Sequence, residues 1–414
     1  MPPVPPSLPA AASAPLHDVL IVGGGLVGAS LAIALDRIGL NVALVEATPG
    51  DRMPAVFDER NLSFSEATVN ALSALGVMAR LRATAASIER IHVTRQGDFG
   101  RVLLQAQRFG RAEFGRVVVA RDFGEALETR LAELRTLTRY RPMRFLGVGA
   151  VEDDARLVRV ADADGERVLR ARLLVAADGT DSGVRSALGI PAETHDYRQT
   201  LLVARVRAQR APDGTAYERL TADGPTALLP RGDRHYGLVH AVAADEADAV
   251  RALDDEAFLA RVQAAFGWRV GRLLACGARS AYPVRRVLAA RVIAERAVLV
   301  GNAAQTVHPV GAQGFNLGLR DALTLAELIE ARGGDPGADA LLAAYAERRR
   351  DDRERTLAFS DGLVRVAAND GVLAAPLRSA GLWAAERLPF VQAWLVGGAM
   401  GYRGDVPALC RSAA

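Results

Sequence analysis

The sequence predicts a mixed α/β (α+β) fold: a Rossmann-type unit on a parallel sheet, an inserted, mostly antiparallel sheet, and helices at the C-terminus. Three observations carry this. Near the N-terminus a short apolar strand runs through a glycine turn into an apolar helix, over residues 18–38. From Tyr197 to about Ala243 the texture changes to short alternating segments separated by turns. Residues 297–321 (AVLVGNAAQTVHPVGAQGFNLGLRD) read as a strand, an irregular loop and a glycine-rich helix start.

Residues 18–22 (DVLIV) are a buried-strand pattern that enters Gly23-Gly24-Gly25-Leu26-Val27-Gly28 and then an apolar helix over 29–38. This is G-x-G-x-x-G with the required strand before it and helix after it. Gly23 allows the tight turn, Gly25 lets backbone reach a pyrophosphate, and Gly28 lets helix and strand pack closely. A second strand over 41–45 ends in Glu46, eighteen residues after Gly28. A carboxylate there accepts both hydroxyls of a ribose and disfavours a 2′-phosphate, which points to NAD or FAD rather than NADP. There is one such fingerprint. The chain is therefore either a simple NAD enzyme or an FAD protein that meets a nicotinamide transiently.

Further along, Asp58-Glu59-Arg60-Asn61-Leu62 precedes a helix over 65–75. Arg60 reads as a surface arginine or as a cation facing the pyrophosphate and ribityl chain. Arg121 precedes a helix running to about residue 135 and carries the same two readings. A buried strand over 170–177 leads to Asp178-Gly179. That pair is an ordinary exit turn, or it sets Asp178 near the dinucleotide with Arg185 at the site's edge. Strands over 201–207, 215–221, 226–229 and 236–242, with Pro- and Gly-containing turns between them, make the inserted sheet. A sheet laid across a cofactor site can wall a substrate pocket. Residues 277–287 then lead back toward the strand at 297.

That strand ends at Gly301, where a missing side chain lets backbone approach a ligand. Pro309 fixes φ and has no N–H, so it makes a rigid corner. Gly311 and Gly314 precede Phe315, Leu317, Leu319, Leu323, Leu325 and Leu328, a helix with one apolar face. A helix start cleared of bulk offers free N–H groups and partial positive charge to an electron-rich ligand.

Composition excludes several chemistries. Half of the 414 residues are apolar and the formal charge is +3, so nothing demands nucleic acid as a partner. The chain has no Lys, which removes Schiff-base and lysine-base mechanisms. Cys276 and Cys410 are the two cysteines, with no CxxC, which argues against a dithiol centre or a cysteine-bound metal.

With these stretches in hand, the chain resembles the group A flavoprotein monooxygenases, the aromatic hydroxylases with the para-hydroxybenzoate hydroxylase fold. The order matches: GxGxxG, Glu46, Arg60, Arg121, the Asp-Gly pair at Asp178, and a second FAD motif at Gly301. It is closer still to the ubiquinone-biosynthesis hydroxylases. GNAAQTVHPVGAQGFNLGLRD, with Asn302 and Phe315, looks like the branch that performs 4-hydroxylation of a 2-polyprenyl-6-methoxyphenol. The resemblance implies that Gly301 and Asn302 contact the FAD ribityl and pyrophosphate. Most of the wider family has Asp where this chain has Asn302, which implies retained but weaker FAD binding. Pro309 would sit beside the reactive edge of the isoalloxazine. Gly311, Gly314, Phe315 and Asn316 would present backbone N–H groups to its pyrimidine end. The resemblance also makes Asp178, Arg60 and Arg121 cofactor contacts. His308 is the one histidine in a cofactor motif and is taken as a catalytic, substrate-side candidate beside Pro309. The implied chemistry is NAD(P)H reduction of FAD, reaction with O2 to a C4a-hydroperoxide, and hydroxyl transfer to an electron-rich phenol. A hydroxylase of another ring position or of a small soluble aromatic, and a flavin-binding scaffold subunit, are the competing readings.

The N-terminus reads as a disordered Pro/Ala tail over 1–16 rather than a secretory signal. The expected organisation is an FAD-binding domain over 17–78, 115–190 and 284–345, a substrate domain over 79–114 and 191–283, and a C-terminal helical region over 346–414. In that last region, short amphipathic helices broken at Pro376 and Pro389 either cap a core or meet membrane lipid or a quinone-synthesis protein complex. The expected location is cytoplasmic, peripheral at the inner face of the membrane, because a polyprenyl phenol lives in the bilayer.

Overall fold

The computed structural model describes residues 14–368 and 374–411. The expected tail lies outside the described residues except at its end, where Leu16 already opens the first strand. In chain order, β1 (Leu16–Val22), α1 (Leu26–Asp36) and β2 (Val42–Val45) form the first crossover unit. There follow β3 (Asn61–Ser65), β4 (Arg90–Arg95), β5 (Val102–Gln105), α2 (Ala120–Leu131) and β6 (Gly165–Ala176). The second half carries β7 (Ala192–Ala208), β8 (Thr215–Thr221), β9 (Gly224–Pro230), β10 (Tyr236–Ala243), β11 (Ser280–Ala289) and β12 (Ala297–Leu299). Four helices close the described chain: α3 (Gln313–Arg332), α4 (Asp339–Ala368), α5 (Ala374–Arg387) and α6 (Pro389–Ala399).

An eight-stranded sheet holds β12, β6, β1 and β2 side by side. All three of those pairings are parallel. All four residues of β2 are buried, as a strand covered on both faces requires. The register brings the carboxyl ends of the four strands level: Val22 lies against Ala176 and Val45, and Ala176 against Leu299. Gly23, Glu46, Asp178 and Gly301 follow those ends within two residues. In open α/β sheets this edge is where ligands bind.

The second sheet has nine strands and includes the order β11, β7, β10, β9, β8, β4, β5. It is antiparallel apart from the β8–β4 pairing. The stretch expected to lead back to residue 297 is mostly β11, paired with β7 from Ala289 to Ser280. Pro376 lies within α5, and the junction between α4 and α5, residues 369–373, falls outside the described residues. One expectation is corrected. Arg121 does not precede a helix; it is the second residue of α2. Pro389 opens α6, as its missing N–H favours. No helix among the described residues is long and apolar enough to cross a membrane.

Candidate active site

A cavity of about 1320 Å³ runs between the two sheets. One end is lined by Gly23, Gly25, Glu46 and Asp178, the other by residues of α5 and α6 such as Leu377, Leu382 and Leu395.

At the first end the backbone makes the site. Gly23 has φ +105°, and a Cβ there would overlap the Ala177 carbonyl. A Cβ on Gly28 would overlap the Gly23 carbonyl, so this glycine serves helix–strand packing and does not line the cavity. Gly25 is different: a Cβ would meet only Val56, at 3.7 Å, and the residue opens on the cavity at the start of α1. Glu46 is held in place, its Oε2 accepting from Gly24 N–H at 2.8 Å and its Oε1 from Thr48 N–H at 2.7 Å. Asp178 accepts from the Ser182 hydroxyl and, at 3.0 Å, from Val184 N–H.

Arg60 lines the cavity in a fork with Asp58, at 2.8 and 2.7 Å. Its guanidinium lies 4.2 Å from the Tyr282 ring centre, and the Tyr282 hydroxyl donates to the same Asp58. Burial would raise the Asp58 carboxyl, yet hydrogen bonds from Arg60 and Tyr282 hold it below its usual range. Arg121 is not brought here: its side chain is half-exposed, pairs with Glu59 and does not line the cavity.

The loop after β12 crosses the middle of the cavity. Asn302, Pro309, Gly311, Gly314, Phe315 and Asn316 all line it. Gly301 does not. It has φ +58°, and a Cβ there would sit 3.0 Å from Val27 Cγ2, so its missing side chain serves packing against α1 rather than ligand approach. Gly311 (φ +70°) and Ala312 (φ +52°) form consecutive left-handed residues before α3, a strained pair for a non-glycine residue. Asn316 secures them. Its Nδ2 donates to Ala312 O at 2.8 Å and Ser63 O at 3.0 Å, and its Oδ1 accepts from Ser65 N–H and the Thr68 hydroxyl. The Asn316 side chain is thus spent on tying α3 to β3, and only the backbone remains for a ligand. A Cβ on Gly314 would meet nothing within 4 Å, so that turn faces open space.

His308 is corrected as a substrate-side group. It is fully buried and absent from the cavity wall. Val310 N–H donates to its Nδ1 at 3.1 Å, which leaves Nε2 to donate to Gln199 Oε1 at 3.1 Å. Burial pushes it down to about 4, so it is a neutral brace for the Pro309 corner.

Three residues escaped sequence reasoning. Asp321 accepts from Gly301 N–H at 3.1 Å, from Gln305 at 2.6 Å and from Arg349 at 2.7 Å. Arg349 and Arg320 both bind Asp352, making a buried four-residue ion network under the loop. Tyr282 completes the Arg60–Asp58 fork. Glu218 is the third: it projects into the cavity from β8, half-buried, and burial pushes its carboxyl up to about 7 while the Gly311 N–H works in the other direction.

A crevice of this shape, with a glycine-lined helix start at one end and an apolar chamber at the other, belongs to a dinucleotide-dependent enzyme. The FAD binding domain family matches residues 17–360, and the chain belongs to that family. It is an FAD-dependent monooxygenase. It is 37% identical to the ubiquinone hydroxylase UbiL of Rhodospirillum rubrum over 90% of this chain and 86% of that protein. Identity to the 3-demethoxyubiquinol 3-hydroxylase of Escherichia coli is 29%, over 89% of this chain and 95% of that one. The fold matches that of the p-nitrophenol 4-monooxygenase PnpA of Pseudomonas putida DLL-E4 with a TM-score of 0.77, covering 94% of this chain and 99% of that one. At 17% identity that likeness speaks for the fold alone. The simple NAD enzyme is set aside, and the residues fit FAD: Gly25 is open toward the cavity and Glu46 stands at the end of the second strand.

Proposed function

We propose that this protein hydroxylates the ring of a 2-polyprenyl-6-methoxyphenol in ubiquinone biosynthesis, drawing electrons from NAD(P)H and oxygen from O2. The observation that carries this is the length and apolarity of one cavity, continuous from the dinucleotide crevice to α5 and α6. A small soluble aromatic needs no such extension. Bound FAD supplies the activation of oxygen; the chain's residues bind, orient and exclude water. On this reading Gly25 receives the pyrophosphate, Glu46 the ribose, and Arg60, Asp178 and Asn302 the ribityl–pyrophosphate region. Pro309 stands beside the reactive edge, and the backbone from Gly311 to Asn316 carries the positive end of α3 to the pyrimidine.

The outer surface of α5 and α6 supports a peripheral membrane role. Phe390 is about 70% exposed, with Trp383 and Trp394 nearly half or more exposed, and none of the three lines the cavity. Arg387 and Arg403 lie over the two Trp rings at 5.4 and 3.6 Å. Aromatic side chains with arginines beside them suit a lipid–water boundary. Contact with a quinone-synthesis complex through the same face is the second reading.

Mass spectrometry of the quinone intermediates that accumulate when the gene is deleted tests the assignment. A methoxyphenol carrying the polyprenyl chain is expected. A demethoxylated intermediate reassigns the ring position, and an unchanged quinone pool sinks the proposal.

A further inference from the structure

The cavity face of the second sheet can be read row by row from its register. One row crosses six strands: Val102, Val93, Glu218, Ala227, Val239 and Val203, and each of the six lines the cavity. Five are small and apolar. Glu218 alone carries a charge-bearing group, in the middle of the row and on a central strand. Its strand neighbours on the same face are Ala216 and Leu220, both cavity-lining and buried. Across the cavity it faces the N–H of Gly311, two residues after Pro309, which favours the charged carboxylate against the effect of burial. A carboxyl group standing in an apolar wall beside the Pro309 loop is costly unless it has work to do.

Resting on the phenol reading proposed above, we infer that Glu218 is a catalytic residue that accepts the hydrogen bond of the substrate's phenolic hydroxyl and takes its proton as the ring is attacked. The O–H bond breaks, the proton passes to a Glu218 carboxylate oxygen, and the bonding pair stays on the ring oxygen, where it enriches the ring carbons. When the ring regains aromaticity, the proton returns to that oxygen and the carbon-bound hydrogen leaves to water. No outside oxidant or reductant is needed for this step beyond those of the hydroxylation itself. A carboxyl titrating near 7 is matched to such a transfer.

The groups facing Glu218 leave it the task. β4 brings Val93 and, two residues on, Arg95 bound to Asp98; β9 brings Ala227 and Pro225. The loop brings Pro309, Val310, Gly311, Ala312 and Gln313, none of them ionisable. From α4, Arg355 lines the cavity alongside Thr356, Phe359 and Leu363.

The test compares FAD-loaded wild type with Glu218→Gln, which keeps the shape and an acceptor for Gly311, and with Glu218→Asp. Binding is read from the flavin absorbance change with geranylated 6-methoxyphenol and its O-methyl ether, and in parallel with guaiacol and 1,2-dimethoxybenzene. Wild type is expected to prefer each phenol over its ether by about tenfold or more. Glu218→Gln should bring that preference close to one while leaving ether affinity and FAD content unchanged. Its hydroxylation rate should fall about 100-fold or more, with NAD(P)H oxidation diverted to H2O2, and the rise in rate through pH 7 should vanish. Glu218→Asp should recover part of both. An unchanged phenol preference and pH limb in Glu218→Gln overturns the assignment, as does an equal loss of phenol, ether and FAD. If guaiacol behaves as described while the geranylated pair does not bind, the polyprenyl reading fails and the role of Glu218 stands.

Discussion

The two walls of the cavity are built on opposite principles. On the parallel-sheet side the wall is backbone: glycine turns, the N-terminal ends of α1 and α3, and short acids such as Glu46 and Asp178 pinned by main-chain N–H groups. On the antiparallel side it is side chain: rows of Val, Ala and Leu presented by the pleat, with one carboxyl among them. That backbone wall is hard to vary at Gly23, Gly28 and Gly301, where a side chain would run into a close neighbour. A side-chain wall can be recut residue by residue without moving a strand. On the function proposed above, the cofactor is held by what is invariant in polypeptide, and the substrate is chosen by what is variable.

That contrast can be broken from the first side most severely. Gly28→Val places a side chain where the Gly23 carbonyl already stands, and is expected to abolish soluble, FAD-containing protein; the yellow colour and yield of purified protein check it. Next comes the ion network beneath the loop. Arg349→Met leaves Asp321 buried without its arginine, while Asp352 keeps Arg320, and should cost about 3–5 kcal/mol, read from denaturant unfolding. Unaltered stability there would mean that water reaches the network. The substrate wall should behave otherwise. Ala227→Phe fills the row beside Glu218 and should weaken phenol binding about tenfold, the scale of 1–3 kcal/mol for overpacking, with FAD retained.

Smaller effects sharpen the comparison. Glu218 titrates higher folded than its ordinary 4.5, so its contribution to stability is fully present below about 4.5 and is lost as pH rises through about 7. Glu218→Gln should therefore melt above wild type at pH 8, with the gap closing toward pH 4.5; equal melting temperatures at both ends would place the carboxyl in water. Smallest of all, Arg121→Ala should leave stability within about 0.5 kcal/mol and FAD affinity unchanged, because its ion pair with Glu59 is half-exposed.

The same contrast explains what could be read from sequence. Backbone sites announce themselves, since the turn at Gly23 excludes a side chain and the turn at Gly311 favours glycine, and their spacing survives in the one-dimensional string. The alternating segments 215–221 and 236–242 likewise announced a sheet, and β8 and β10 match them to within a residue. Side-chain destinations did not announce themselves. Glu218 in TAYERLT looks like the wet face of a two-sided strand, and only the second sheet face shows that its side looks inward onto a cavity. Asp321 in GLRD reads as a helix-surface charge; its partner Arg349 lies 28 residues on, in another helix. Arg121 and His308 sat beside motif residues and borrowed their meaning, whereas one turns to Glu59 and the other to Gln199.

A cavity that runs on to α5 and α6 has a consequence for partitioning. Moving a hydrocarbon chain from lipid to water costs about 0.8 kcal/mol per CH2, so full extraction of a long polyprenol is prohibitive. If the chamber takes the ring and the first isoprene units while the rest of the tail stays in the bilayer, most of that cost never arises. Affinity should then climb with the first few units and level off, and the catalyst would treat long and short tails alike, reading only the headgroup and the stretch of chain next to it.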